Sequence, residues 1–214
     1  MASGFIILLL IAVAIVPEVR PGSTPPCAMI LIDNRPPKVG ALVTPNRVLA
    51  AAANFSPSLD SVTVQVGCRR PTLCRTPPSK VVNYMIDVPS NIVALTIEHD
   101  PQLRTPIQPT PIGPPGGYSD ELCSFTRLEQ FPRWICWKSV LVHSPEECGT
   151  SGMNVPPGHA CFTSRYSEEI IDDDVGGLII CNDHLIGIMT GYDERQNELS
   201  AQIMYDFTQP GAFH

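Results

Sequence analysis

Apolar residues in this chain fall in short runs, not in the three-to-four spacing of a helical stripe. VTVQV at 62–66 alternates strictly, apolar on one parity and polar on the other. CAMILID (27–33), VGALVT (39–44), IVALTIE (92–98), GLIICN (177–182) and HLIGIMTG (184–191) are nearly continuous and rich in Val, Ile and Leu. SVLVHS (139–144), HACFTS (159–164) and LSAQIMY (199–205) are of similar length. Turn formers separate them: DNRPP at 33–37, SPSLD at 56–60, PGG at 115–117 and CNDH at 181–184. Short runs with this punctuation predict an all-β sandwich or barrel. No segment reads as a long amphipathic helix; NRVLAAAANF (46–55) has room for one helical turn.

The pattern breaks at 100–118, DPQLRTPIQPTPIGPPGGY, where prolines preclude regular pairing and favour a stiff, extended connection. The expected organisation is therefore two small β-units: about 26–100, a strap at 100–118, and about 119–214. Proline exceeds glycine, 23 against 15, which also disfavours long helices. The uninterrupted apolar run from Phe5 to Val16 is too short to span a bilayer and has the length of a secretory signal core. Residues 1–22 are read as a signal peptide, with the 23–214 domain secreted and free of the membrane after its removal. Net charge of −7 excludes nucleic acid as a general partner. Eight cysteines in such a chain read as disulfides. No Cys-x-x-Cys pair and no histidine at zinc-finger spacing accompany them, so no metal and no cofactor are expected.

Three stretches, in order, resemble landmarks of the trypsin/chymotrypsin-like serine proteases. VGALVTPNRVLAAAANF (39–55) is similar to the segment that ends in the family's histidine. SNIVALTIE (90–98) is similar to the one that carries its aspartate. DDDVGGLIICNDHLIGIMTGY (172–192) is similar to the one that holds its serine. The likeness covers most of residues 26–206, and the strap resembles the family's inter-barrel connection. It implies two six-stranded antiparallel β-barrels with little helix.

The same resemblance places Ala53, Asn91 and Val175 where the family has His, Asp and Ser. The reaction needs a nucleophilic oxygen, an imidazole to take its proton, and a carboxylate to orient that imidazole. A methyl group, an amide and an isopropyl group do none of this. Losing such a trio costs about 10⁶ in turnover. Asp173 replaces a glycine of the oxyanion hole, where a carboxylate repels developing negative charge. None of His99, His143, His159, His184 or His214 falls at the vacant base position. The implied reading is an inactive homologue of the type found in insect secretions. The enzymatic alternative is a serine-type endopeptidase-like hydrolase with an atypical catalytic arrangement.

The resemblance also pairs Cys123 with Cys181 and Cys148 with Cys161. Cys68 and Cys74 are close enough in sequence for a surface-loop bridge, leaving Cys27 with Cys136 for a long-range one. Two family bridges lack their cysteines: Lys38 and Asn54 occupy one pair of positions, and Ile171 one half of the other. Family members pair the Asp before the serine with an ammonium created by cleavage. No matching start precedes this domain, so Asp174 is expected to be solvated or to find another cation. Glu168, Glu169 and Asp172 to Asp174 read as a solvated acidic loop, with calcium or a basic partner as the sharper alternative.

Binding is the role that remains. Arg69, Arg70, Arg75 and Lys80 lie in or beside the loop that Cys68 and Cys74 would close, a rigid candidate surface. Trp134 and Trp137 are expected to pack on the second barrel. Asn54 begins the one glycosylation sequon, beside the vacant histidine position. The expected partner is a protein: an extracellular protease, its substrate or an inhibitor.

Overall fold

The computed structural model describes residues 27–53, 55–67, 76–98, 108–115, 117–128, 135–150, 152–165, 170–191, 201–209 and 211–212. These residues form two closed antiparallel barrels of six strands each. The first contains β1 (Cys27–Ile32), β2 (Lys38–Thr44), β3 (Arg47–Ala51), β4 (Val62–Val66), β5 (Ser79–Asp87) and β6 (Ile92–Ile97), in the order β1-β2-β3-β6-β5-β4. The second contains β7 (Leu122–Leu128), β8 (Ile135–His143), β9 (His159–Ser164), β10 (Leu178–Cys181), β11 (His184–Gly191) and β12 (Gln202–Asp206), in the order β10-β11-β12-β9-β8-β7. Among the described residues, no helix is long and apolar enough to cross a membrane.

Closure explains the run pattern. A closed sheet has no edge, and its inward residues fill one core. In β4 the burial alternates as the sequence does, with Val62, Val64 and Val66 inside. β1, β2 and β6 are buried on both faces, which is why they read as continuous apolar runs. Their second face packs in an apolar layer between the barrels, where Ala41, Leu49 and Ile92 meet Leu178, Leu185 and Ile188. That layer lies beneath the loops considered below.

Three elements depart from the sequence expectation. Most of the segment read as able to turn helically is instead β3, paired with β6 along its length and with β2 over Arg47 to Leu49. β5 has no clean alternation because its register shifts between Val81 and Asn83. The one α-helix among the described residues, α1 (Pro145–Thr150), is six residues long and starts at a reciprocal cap. Glu147 N–H donates to the Ser144 hydroxyl, and Ser144 N–H donates to the Glu147 carboxylate.

Cys123 is bonded to Cys181 and Cys148 to Cys161. The expected Cys27–Cys136 bridge is not formed: Cys27 is a free, fully buried thiol. Its side chain belongs to the inter-barrel layer with Ala41 and Leu49. Burial there pushes the thiol up to about 12, partly offset by the Thr126 hydroxyl. Cys68 and Cys74 lie outside the described residues. Trp137 stands on β8 with 45% of its surface exposed, where packing was expected; Trp134 is outside the described residues.

Candidate functional site

The positions of interest sit on three loops at one place between the barrels. Ala53 follows β3, Asn91 precedes β6, and Val175 lies in the turn between a short 3-10 segment (Asp172–Asp174) and β10. Backbone bonds gather them. Ala52 N–H donates to the Asn91 carbonyl at 2.7 Å, fixing the first two loops together. The Asn91 side-chain amide donates to the Thr190 carbonyl at 3.3 Å, and Gly176 N–H donates to the Met189 carbonyl at 2.9 Å. Loops two and three therefore hang from consecutive residues of β11. A Cβ placed on Gly176 would lie 3.8 Å from the Ala51 Cβ, which closes the triangle.

Local chemistry explains each loop. Asn91 has φ of 54°, a left-handed conformation that asparagine adopts more readily than most residues. Gly176 has φ of 102°, which favours glycine. A Cβ on Gly177 would stand 2.3 Å from the Phe125 ring, so only glycine lets this turn lie on β7. Val175 is half-buried and packs against both the inter-barrel layer and the core of the second barrel.

Asp174 anchors the turn. Its carboxylate is buried and takes two contacts from the Arg127 guanidinium, at 2.9 and 3.1 Å. It also accepts from Ile171 N–H at 3.0 Å. The cation expected for Asp174 is thus a side chain of β7. Arg127 shares the parity of the buried Cys123 and Phe125 in β7. A charge on the core face of a strand demands a counter-charge, and this was the sequence signal available for it.

Beside this turn is a cavity of about 280 Å³, lined by Pro36 to Val39, Leu128 and Asp173 to Gly177. Of the positions singled out by sequence, Val175 and Asp173 line it, together with Asp174; Ala53 and Asn91 do not. Asp173 is exposed. No Ser, Thr, Cys or His is among the lining residues. The described histidines lie elsewhere: His143 ends β8, His159 opens β9 against Tyr205, and His184 follows the β10–β11 turn.

Lys38 is the group that sequence reasoning left without a role. It lines the cavity and its ammonium donates to the Ala53 carbonyl. A cation therefore ties β2 to the loop after β3, at a position where the resemblance has half of a disulfide. Burial, and secondarily the charge of Arg35, holds this amine below the ordinary lysine value of 10.5. Since the unfolded chain keeps the proton to higher pH, this group's contribution to stability rises with pH through that interval. Acylation of Lys38 is accordingly expected to reach half its maximal rate below pH 10.5. Peptide mapping after timed labelling across a pH series tests this; a midpoint at or above 10.5 refutes it.

Asn54, Arg69, Arg70, Arg75, Glu168 and Glu169 lie outside the described residues. Lys80 is exposed on β5. Two of the positions read as lost bridge halves, Lys38 and Ile171, are described; Ile171 is 39% exposed.

No family model matches the sequence, and no curated protein matches it significantly. Solved structures do resemble the fold. Neuropsin, a serine protease expressed in the limbic system of mouse brain, superposes with TM-score 0.74 and 16% identity, over 87% of this chain and 91% of that one. Kallikrein-related peptidase 10 gives 0.69 and 14%, over 87% and 91%. The scabies mite inactivated protease paralogue S-D1 gives 0.68 and 14%, over 85% and 87%. At such identities the likeness establishes the fold: paired six-stranded barrels of the chymotrypsin-like type.

Proposed function

We propose that this chain is a secreted, catalytically inactive homologue of trypsin-like proteases that acts by binding other proteins in extracellular proteolysis, as decoy, cofactor or regulator. One observation carries the reading. The loops that the resemblance assigns to catalysis converge, yet they present Ala53, Asn91 and Val175, and the adjoining cavity offers no hydroxyl, thiol or imidazole. The Val175 side chain is used for packing against two cores. Disulfides and the apolar N-terminal run support secretion. An inactivated paralogue among the structural neighbours shows that the fold outlives its chemistry in another protein.

The purified chain is expected to cleave no member of a broad peptide library and to take no label from a serine-directed phosphonate. Turnover above the buffer rate that survives repurification would overturn the proposal. Lys38 supports the enzymatic second reading: a half-buried amine with a lowered proton affinity lines the same cavity as Asp173. If turnover is found and Lys38→Met abolishes it, an atypical hydrolase is the correct description.

A further inference from the structure

A different group of side chains gathers on the second barrel, sharing no residue with the Val175 cavity. Asp120, His143 and Glu147 each bring one ligand atom to within 4.8 Å of the other two. They come from separate segments: the turn before β7, the end of β8, and the first turn of α1. We infer that these three residues form a surface zinc site, with water completing the coordination.

The backbone builds this convergence. Asp120 N–H donates to the Val142 carbonyl at 2.9 Å, which sets the turn beside the end of β8. Asp120 has φ of 62°, a conformation open chiefly to Gly, Asn and Asp. His143 faces Cys161 in the β8–β9 register, and Cys161 is bonded to Cys148 in α1. That disulfide holds α1 against the end of β8. The three ligand-bearing segments are thus held by a hydrogen bond and a covalent bond before any ion arrives.

The side chains are also partly fixed. The Glu147 carboxylate accepts from Ser144 N–H at 2.7 Å and from the Ser119 hydroxyl at 2.9 Å. These two bonds fix the orientation of the carboxylate before any ion arrives. His143 Nε2 lies 2.9 Å from the Thr163 hydroxyl, an outer contact that orients the ring. His143 and Glu147 are half-buried and Asp120 is exposed, so an ion has open access.

The donor set selects the metal. One imidazole with two carboxylates suits zinc and its transition-metal neighbours; calcium and magnesium prefer oxygen donors alone. Metal arms of roughly 2.0–2.2 Å require ligand atoms about 3.3–3.6 Å apart in a tetrahedron. Zinc binding would draw the three atoms, now within 4.8 Å of one another, to that spacing by side-chain rotation. Bound zinc would fasten the Ser119–Asp120 turn to α1, adding a third link to the capping bonds and the disulfide.

Titration of the full chain with zinc chloride, followed by calorimetry, is expected to show one saturable site. Cobalt(II) in its place should give the visible absorption of a low-coordinate ion. His143→Ala and Asp120→Asn should each weaken zinc binding at least about tenfold, while calcium at the same concentration leaves the isotherm unchanged. Equal zinc affinity in the wild type and His143→Ala, no saturable binding, or displacement by calcium each overturns the assignment. Should the variants misfold, the unmodified chain decides: the His143 ring resonances must shift on addition of one equivalent of zinc, and unchanged resonances refute the site.

Discussion

Replacing Arg127 by alanine is expected to lower the unfolding free energy by about 3 kcal/mol, near the low end for breaking a buried ion pair. For a chain of this length the corresponding fall in Tm is roughly 6–12 °C. The size follows from what remains. Asp174 has a side-chain exposure of 4%, and without the guanidinium it keeps one backbone donor, Ile171 N–H. Its carboxylate is then left buried without a counter-charge, which costs stability. The low end applies because Arg127 retains 16% exposure, so water reaches part of the pair. Removing both charges should cost less than the sum of the single changes. The single variant Asp174→Asn and the double variant Arg127→Ala with Asp174→Asn close that cycle. Urea unfolding monitored by far-UV circular dichroism measures all three; a loss under about 1 kcal/mol for Arg127→Ala sinks the argument.

The pair matters beyond stability because the turn is built around Asp174. Asp174 N–H donates to the Ile171 carbonyl, Gly177 N–H donates to the Asp174 carbonyl, and the carboxylate returns to Ile171 N–H. Val175 is placed by that small scaffold. Where the resemblance supplies a cleaved chain terminus as counter-ion, this protein supplies a residue of its own β7. The turn is therefore held without cleavage, as suits a protein proposed to present a fixed surface.

Much of this was readable from residue order, for reasons that differ by element. β4 could be read because it faces water on one side and core on the other, so its burial repeats its alternation. β1 and β6 could be read as strands because double burial requires an unbroken apolar run. β5 could not. With its register shift, Val82, Met85 and Ile86 stand at the surface, and the parity signal cancels. β7 was obscured by two successive polar residues: Thr126, which is fully buried, and Arg127, whose carboxylate partner comes from elsewhere in the fold. At the site, the motifs pointed to three loops that the structure brings together, because each loop is locally encoded. The partners of Lys38 and Arg127 were not legible, since each is a residue distant in sequence: Ala53 for one, Asp174 for the other. Cys27 failed for a related reason. Counting assigned it a partner by elimination, but its side chain points into the inter-barrel layer.

The second large effect concerns barrel closure. Removing the Cys123–Cys181 bridge, by Cys123→Ala with Cys181→Ala, is expected to cost about 4 kcal/mol. That figure is the chain-entropy value for a loop defined by 58 residues of separation. Position argues for full delivery of that value. β7 and β10 are the two ends of the second sheet's strand order, and their pairing is what closes it into a barrel. The register runs Leu178 to Thr126, Ile179 to Phe125 and Ile180 to Ser124, so the two cysteines continue the same ladder. The bridge therefore lies along hydrogen bonds that already exist, and the native state loses little by forming it. Cys148–Cys161 spans only 13 residues, for which the same relation gives about 3 kcal/mol. The two double-alanine variants should thus rank in that order in denaturant titrations, about 1 kcal/mol apart. The reverse order would mean that the stability of α1 and its loop, not closure of the seam, limits unfolding of this barrel.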